Sequence, residues 1–475
     1  MIALTVAEIA ELVGGQLSEL DAGLTISGKV EFDSRKVEPG DLFLAIKGER
    51  VDGHDYAEAA ISAGAVAVLA TRAVGVPAIM VSDPLAALTA LATAAARRLS
   101  ARIVEVTGST GKTTTKDLLA HVLAGRGRTV APPESFNNEL GFPYTVLLAD
   151  ADTEYLVLEA SSRGIGHIRA LTEIAPPAIA AVLNVGSAHL GEFGSVATIA
   201  QAKGELVEAL PADGVAVLNA DDPLVLAMAS RTVARVLSFG EQAGADLRAE
   251  RVQVGPAGRA SFELVFGEDR AMVNLTVRGE HQVSNALAAA GVALSCGLEL
   301  PAVAAALSSA TARSHWRMEV SETAAGVTVI NDAYNANPES MRSALKSLAI
   351  LSEGRRGVAV LGEMAELGAE SLTAHDALGR LAVRLDIGRL IAVGESARPI
   401  ATGAALEGSW NGESEWVADN DAAVARLREV LRPGDVLLVK GSRSTEMQRV
   451  AVAVIDWLDA EPGLAEQADR DRPTA

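Results

Sequence analysis

The sequence predicts an α/β protein of three domains. These are a small α/β unit, a central P-loop ATPase-like parallel sheet with added antiparallel strands, and a C-terminal Rossmann-like unit. Three observations predict this. The 475 residues accommodate about three domains of roughly 100–200 residues each. Short apolar strand text alternates with helical text over most of the chain, the pattern of parallel sheets covered on both faces. A glycine-rich segment, VTGSTGKTTT (106–115), stands where a strand gives way to a helix.

The boundaries follow from the order of elements. Residues 1–97 carry β-like runs (LTISGKVEF, DLFLAIKG) and a helical segment, AEAAISAGA. A helix ends near Arg97–Arg98, and ARIVEVT leads into the glycine turn. The central unit, 98–311, starts as strand–helix–strand and turns into hairpin text between Asp246 and Glu280 (LRAERVQV, RASFELVF, AMVNLTV) with Gly and Pro turns. The third unit, 312–460, alternates again: GVTVIND, a helix from Pro338, GVAVLGEM, a helix from Thr373, RLIAVGE, DAAVARLREVL, DVLLVKGS and TEMQRVAVAVIDWL. The charged segment 461–475 reads as a disordered tail.

Composition narrows the function. Hydrophobic residues make up 49% and charged residues 21%, which supplies a core for every unit and excludes disorder as the main state. Asp and Glu number 61 against 41 Lys and Arg, a net charge of −20. Such a field repels polyphosphate backbones and anionic lipid, so neither a nucleic-acid nor a peripheral-membrane partner is expected. The one cysteine, Cys296, excludes an internal disulfide and a cysteine-based metal site, and its apolar surroundings predict a buried residue. The longest apolar run, Leu85–Ala96, falls short of the roughly 20 residues a membrane span needs. The N-terminus lacks a basic start and carries Glu8 and Glu11, unlike a signal peptide. The expectation is a cytoplasmic globular protein.

The chemistry concentrates at strand ends. In the turn Gly108–Gly111, successive backbone N–H groups would surround phosphate oxygens, Lys112 would reach the terminal phosphates, and the Thr113 hydroxyl would bind Mg²⁺. Position 106 is Val where the general eight-residue P-loop begins with Gly. Glu159 ends the apolar strand of EYLVLEASS, at the sheet edge where an acid can hold Mg²⁺. The strand AIAAVLNV runs into GSAHLGEFGS, which brings His189 to the same edge, as a ligand or as a structural histidine. In the helix ATIAQAKGELVEAL (197–210), Ile199, Ala202, Leu206, Val207 and Leu210 share one face, with Glu205 and Glu208 opposite. Lys203 falls inside the apolar face. It either snorkels to water or enters the site, where an ammonium beside Mg²⁺ must contact phosphate or be converted to an anion.

These motifs, in this order, resemble the Mur ligases, the ATP-dependent amide-forming enzymes of peptidoglycan precursor synthesis. The resemblance covers residues from about 25 to 458 and rests on FDSRKVEPGDLFLAIKG with DGH, GSTGKTTTK, SFNNELGFP, LEASSRGIGHI, AHLGEFGS, AKGEL, LNADDP, GEHQVSNALAA, NDAYNANPESM, LGEMAELG and VKGSRSTEM. FNN, DAYNANP and KGSR resemble the dipeptide-adding branch, whereas the third-residue-adding branch typically shows a KGHE-like sequence. Two segments depart from the family: EASSRG replaces the commoner E-x-G-x-x-x-x-G, and SHWRME carries Arg317 without the usual preceding Gly.

The resemblance implies roles. Ser34 and Arg35 would lie near the uridine diphosphate of a first-domain substrate. The loop Gly108, Ser109, Thr110, Gly111, Lys112, Thr113 and Thr114 would hold ATP, with His281 and Asn285 toward adenine, Asp332 toward ribose, and Arg317 from SHWRME. Glu159, His189 and Lys203 would join Thr113 in organising Mg²⁺, two ions in all, with Lys203 as a CO₂-derived carbamate. Asn137, Asn138, Tyr334, Asn335 and Asn337 would face the substrate, Asn138 near its carboxylate. The implied reaction joins D-alanyl-D-alanine to UDP-MurNAc-tripeptide through an acyl phosphate, carried out by a monomer. Rival readings are a sibling ligase or folylpolyglutamate synthetase, a P-loop switch or motor, and a non-catalytic UDP-sugar-binding protein. The last is disfavoured by Lys112, Glu159 and Lys203 together. A switch would not need polar strand-end loops such as Asn331–Asp332 and Lys440–Gly441.

Overall fold

The computed structural model describes residues 1–48, 51–188, 190–408 and 413–461. Among these residues the chain forms a mixed α/β molecule built on three main sheets. The first has the strand order 16–18, 78–80, 67–70, 42–44, 30–31 and is parallel except at the 16–18 edge. Its apolar run forms the helix Pro84–Ala96, started by Asp83, whose carboxylate accepts from the Leu85 and Ala86 amides. The helix Val6–Val13 lies outside the elements that the sequence predicts. Its start signal is a capping box in which Thr5 and Glu8 bond each other's backbone N–H groups.

The central sheet runs 269–278, 259–266, 247–254, 235–240, 215–219, 179–182, 102–107, 155–159, 129–130. Its last seven strands are parallel, and the hairpin text adds 259–266 and 269–278 antiparallel beyond 247–254. Strand Arg102–Thr107 lies inside this sheet and alternates its burial. Ile103 joins the apolar cluster on one face, and Val104 and Val106 join the cluster on the other. Helices Lys112–Ala124 and Gln282–Ser295 cover the second face, where Cys296 is buried as expected.

The third sheet runs 319–322, 328–331, 436–440, 357–361, 389–393, 414–417, and only its first pair is antiparallel. It has its own apolar clusters, one on each face. The first and central sheets differ in this respect: one continuous cluster joins Leu4, Ile26, Leu69 and Leu91 to Leu156, Val182 and Leu206. The helix Arg398–Glu407 and the half-polar edge strand Ser414–Val417 (SEWV) lacked a clean period and were not anticipated.

One expectation is corrected. Glu205 does not face solvent opposite the apolar stripe. It is buried, and its carboxylate accepts from the Gly166 (2.6 Å) and Arg169 (3.1 Å) amides. Helix His167–Ile174 has otherwise unpaired N–H groups at its start, and Glu205 satisfies them. Among the described residues no helix is long and apolar enough to cross a membrane. Of the expected tail 461–475, residues 462–475 lie outside the described residues.

Candidate active site

The phosphate loop is pinned from its neighbour strand. Gly111 takes φ +83°, and a Cβ there would sit 2.3 Å from Asn285 Oδ1, so glycine answers both the backbone and the space. Asn184, just past strand Ile179–Val182, accepts from the Thr110 amide at 2.9 Å and donates to the Thr110 carbonyl at 3.2 Å. The Gly186 amide donates to Ser109 Oγ at 2.8 Å. Lys112, the first residue of helix Lys112–Ala124, donates to the Gly108 carbonyl at 2.9 Å. Burial pushes the pKa of its ammonium down, partly opposed by Glu159.

Glu159 ends strand Tyr155–Glu159, one place over from the loop strand, and is 1% exposed. Its carboxylate accepts from Asn137 Nδ2 (2.6 Å), Ser135 Oγ (2.9 Å) and Thr113 Oγ1 (3.1 Å). The cluster is rich in oxygen donors, the chemistry that Mg²⁺ selects. Arg317 arrives from the third unit. Its Nη2 donates to Thr113 Oγ1 at 3.0 Å, and its guanidinium lies 4.0 Å from the centre of the Tyr334 ring.

The third sheet presents its own strand ends to the same space. Asp332 follows strand Thr328–Asn331, accepts from the Met318 amide and pairs with buried Lys440 at 2.7 Å. Lys440 also donates to the Asn335 carbonyl at 2.9 Å. Asn337 caps helix Pro338–Leu351 through the Ser340 amide. Burial pushes the His281 imidazole down, which favours its neutral, hydrogen-bonding form. Carboxyl ends of parallel strands from two sheets thus face one cavity of about 650 Å³.

The structure brings most of the sequence-predicted residues together here. Ser109, Thr110, Gly111, Lys112, Thr113, Thr114, Asn137, Asn138, Glu159, His281, Asn285, Arg317, Asp332, Tyr334, Asn335 and Asn337 all line the cavity. Gly108 completes the loop beneath it. Asn138 also accepts from the Gly141 amide at 2.9 Å, which fixes the turn into helix Gly141–Leu148. Lys203 is not part of the lining. It is 5% exposed, burial and the nearby Lys112 charge push its pKa well down, and it has no carboxylate partner among the described residues. Ser34 and Arg35 form a short 3₁₀ turn outside the cavity, with Arg35 paired to Asp33. Phe32, just before that turn, packs edge-on against Phe136 and Tyr144. This joins the first unit to the SFNN loop. His189 lies outside the described residues.

The sequence offers Lys440 as a strand-end residue without its pairing to Asp332, and it does not single out Ser135 or Asn184. Asn184 and Lys440 stood inside the quoted strand-end text AIAAVLNV and DVLLVKGS. A polar residue closing an apolar strand was the available signal. Ser135 had none, because only the fold folds SFNN back onto Glu159.

Comparison with known proteins agrees with this geometry. Three family models match in order: "Mur ligase family, catalytic domain" at 28–106, "Mur ligase middle domain" at 106–293, and "Mur ligase, glutamate ligase domain" at 316–443. The UDP-N-acetylmuramoyl-tripeptide–D-alanyl-D-alanine ligase of Mycobacterium tuberculosis is 51% identical, over 96% of this chain and 98% of that protein. The chain belongs to the Mur ligase family. The Escherichia coli ligase of the same name is 36% identical over 96% of this chain and 99% of its own. Among solved Mur ligases, MurF of Acinetobacter baumannii superposes with a TM-score of 0.83 at 30% identity, covering 96% of this chain and 99% of that one. MurF of Thermotoga maritima, solved in complex with ADP, gives 0.76 at 29% identity, covering 92% and 99%.

Proposed function

We propose that this Mur ligase joins D-alanyl-D-alanine to UDP-MurNAc-tripeptide, consuming ATP and releasing ADP and phosphate. The observation that carries the reaction type is the junction of two units at one hydroxyl: Arg317 of the third unit bonds Thr113 of the phosphate loop, above Glu159. The substrates rest on the relatives, which share about half their residues with this chain over nearly its full length.

A carboxylate is a poor acyl donor, because its leaving group would be O²⁻. One tripeptide carboxylate oxygen attacks the γ-phosphorus, the bond to the bridging oxygen breaks, and ADP leaves with that electron pair. The dipeptide amine then attacks the acyl carbon, the bond to phosphate oxygen breaks, and the amine loses its proton. Lys112 and Arg317 offset the charge of two anionic reactants meeting in line. Asp332 reaches ribose hydroxyls, and His281 and Asn285 the base. Ser34 and Arg35 hold the uridine diphosphate. Asn137, Asn138, Tyr334, Asn335 and Asn337 orient the tripeptide end and the acceptor. Closure of the third unit excludes water from the acyl phosphate.

Thr113 and Glu159 supply oxygen ligands that suit Mg²⁺, with His189 and Lys203 as further ligands. Mg²⁺ held there, two ions in our reading, would neutralise phosphate charge as it develops. As a carbamate, Lys203 would add an anionic oxygen ligand to Thr113 and Glu159. Its depressed pKa favours the neutral amine, the form that adds CO₂ to give a carbamate and a proton. ATP and a nucleotide-linked substrate favour a cytoplasmic setting, and we take the enzyme as a monomer. Phosphate release with UDP-MurNAc-tripeptide tests the reading: D-alanyl-D-alanine should support turnover, and free D-alanine or diaminopimelate should not. No release here, with release instead from UDP-MurNAc-dipeptide and diaminopimelate, would reassign the chain to a sibling activity.

A further inference from the structure

The segment 184–187 is a strap between the phosphate loop and the third unit. Its inner end holds the loop: Asn184 bonds both polar groups of the Thr110 backbone, and the Gly186 amide donates to Ser109 Oγ. Its outer end is held from helix Pro338–Leu351. Glu339 Oε1 accepts from the Ser187 amide at 3.1 Å and from the Ser187 hydroxyl at 2.9 Å, and Oε2 lies 3.1 Å from the same hydroxyl. The fit is close. A Cβ on Gly186 would come within 2.9 Å of the Glu339 carboxyl carbon.

A second contact follows four residues on. The Gly191 amide donates to the Glu366 carbonyl at 2.9 Å, and a Cβ on Gly191 would sit 2.8 Å from the Gly368 amide. Both contacts exist only while the third unit is docked.

We propose that Glu339 is a positioning residue, which fixes the strap 184–187 and through it the phosphate loop when the third unit docks. The inference rests on the ligase reading for its kinetic consequence but not for its physical one. Without the carboxylate, Ser187 loses its acceptor and the strap keeps its bonds to the phosphate loop and that of the Val185 amide to Asp222. Because Glu339 acts through Ser187, the two residues form one coupled pair: Glu339→Ala removes both bonds, Ser187→Ala only that of the hydroxyl, so their effects should overlap and not add.

The test uses the full chain with Glu339→Ala, Ser187→Ala and the double variant, and Glu339→Gln as the conservative control. Hydrogen exchange read on the peptide spanning 184–196 needs no substrate. It should accelerate in Glu339→Ala and less in Glu339→Gln, which keeps one acceptor, while peptides of the third-sheet core stay as protected as in the parent. In the ligation assay kcat should fall about tenfold in Glu339→Ala, less in Ser187→Ala, which keeps the amide bond, and no further in the double variant than in Glu339→Ala, with KM for the dipeptide within about twofold. Unchanged exchange in the strap, or additive losses in the double variant, overturns the proposal. If the parent protein shows no ligation, the functional reading fails and the exchange result still decides the strap.

Discussion

Lys112 and Lys203 are both buried amines, and each is held at a cost that only a use would justify. Lys112 is anchored to the Gly108 carbonyl and belongs to no apolar cluster. Lys112→Ala should therefore keep the parent melting profile while ligation falls by at least about a hundredfold; near-normal turnover would remove it from the phosphate site. For Lys203 the sign of the pKa shift matters. Its folded pKa is lowered, so between that value and the ordinary 10.5 the folded state binds fewer protons than the unfolded state. The buried amine thus costs stability as pH falls through that window. Lys203→Met should melt higher than a CO₂-depleted parent at neutral pH, yet be nearly inactive. Lys203→Arg should also be inactive, since arginine cannot form the carbamate, and bicarbonate should restore rate to the depleted parent alone. An active Lys203→Arg would return the residue to snorkelling. That Lys203 interrupts an apolar face was legible in the sequence, because periodicity exposes a misplaced charge. That Glu205 caps another helix was not, because its partners lie 36 to 39 residues away.

Strand Arg102–Thr107 shows what an element adds to its residues. Glu105 sits in its middle beside Leu158 and Ala180, fully buried, with neither carboxyl oxygen hydrogen-bonded among the described residues. Burial pushes its pKa well up, so the folded state keeps the proton that the unfolded chain releases above the ordinary 4.5. Its contribution is least unfavourable below that value and worsens as pH rises toward the folded pKa. Glu105→Leu should raise Tm by about 3 °C or more at pH 8 and by less at pH 5, read from paired thermal melts. An equal gain at both pH values would mean that the proton is not involved. The run ARIVEVT reads as a strand with one polar position, which periodicity assigns to a face. Which face is doubly covered depends on helices distant in sequence, so burial of Glu105 became visible only in the fold. Short edge strands were the least legible elements, since two to four residues carry no period.

At the scale of the molecule, the apolar cores do not divide as the sheets do. The first and central sheets share one continuous core, whereas the third keeps its clusters to itself. We expect residues 312–460 to fold alone without binding ATP tightly in calorimetry, because Asp332 completes a site whose phosphate half lies elsewhere. Residues 1–311 should not ligate, lacking Arg317 and Asp332; tight ATP binding by the fragment would contradict the shared site. The three-unit order was readable because motif text and βα alternation repeat locally. The strap from Glu339 to Ser187 was not, because it joins residues 152 positions apart.

In the proposed reaction one chain activates a carboxylate with ATP and passes the acyl group to a dipeptide amine. Labelling the terminal carboxylate of UDP-MurNAc-tripeptide with ¹⁸O and reading the released phosphate by mass spectrometry tests it most directly. An acyl phosphate leaves one ¹⁸O in phosphate for each pentapeptide formed, with D-alanyl-D-alanine required for turnover. Unlabelled phosphate alongside pentapeptide, or phosphate released without any ligated product, would contradict it.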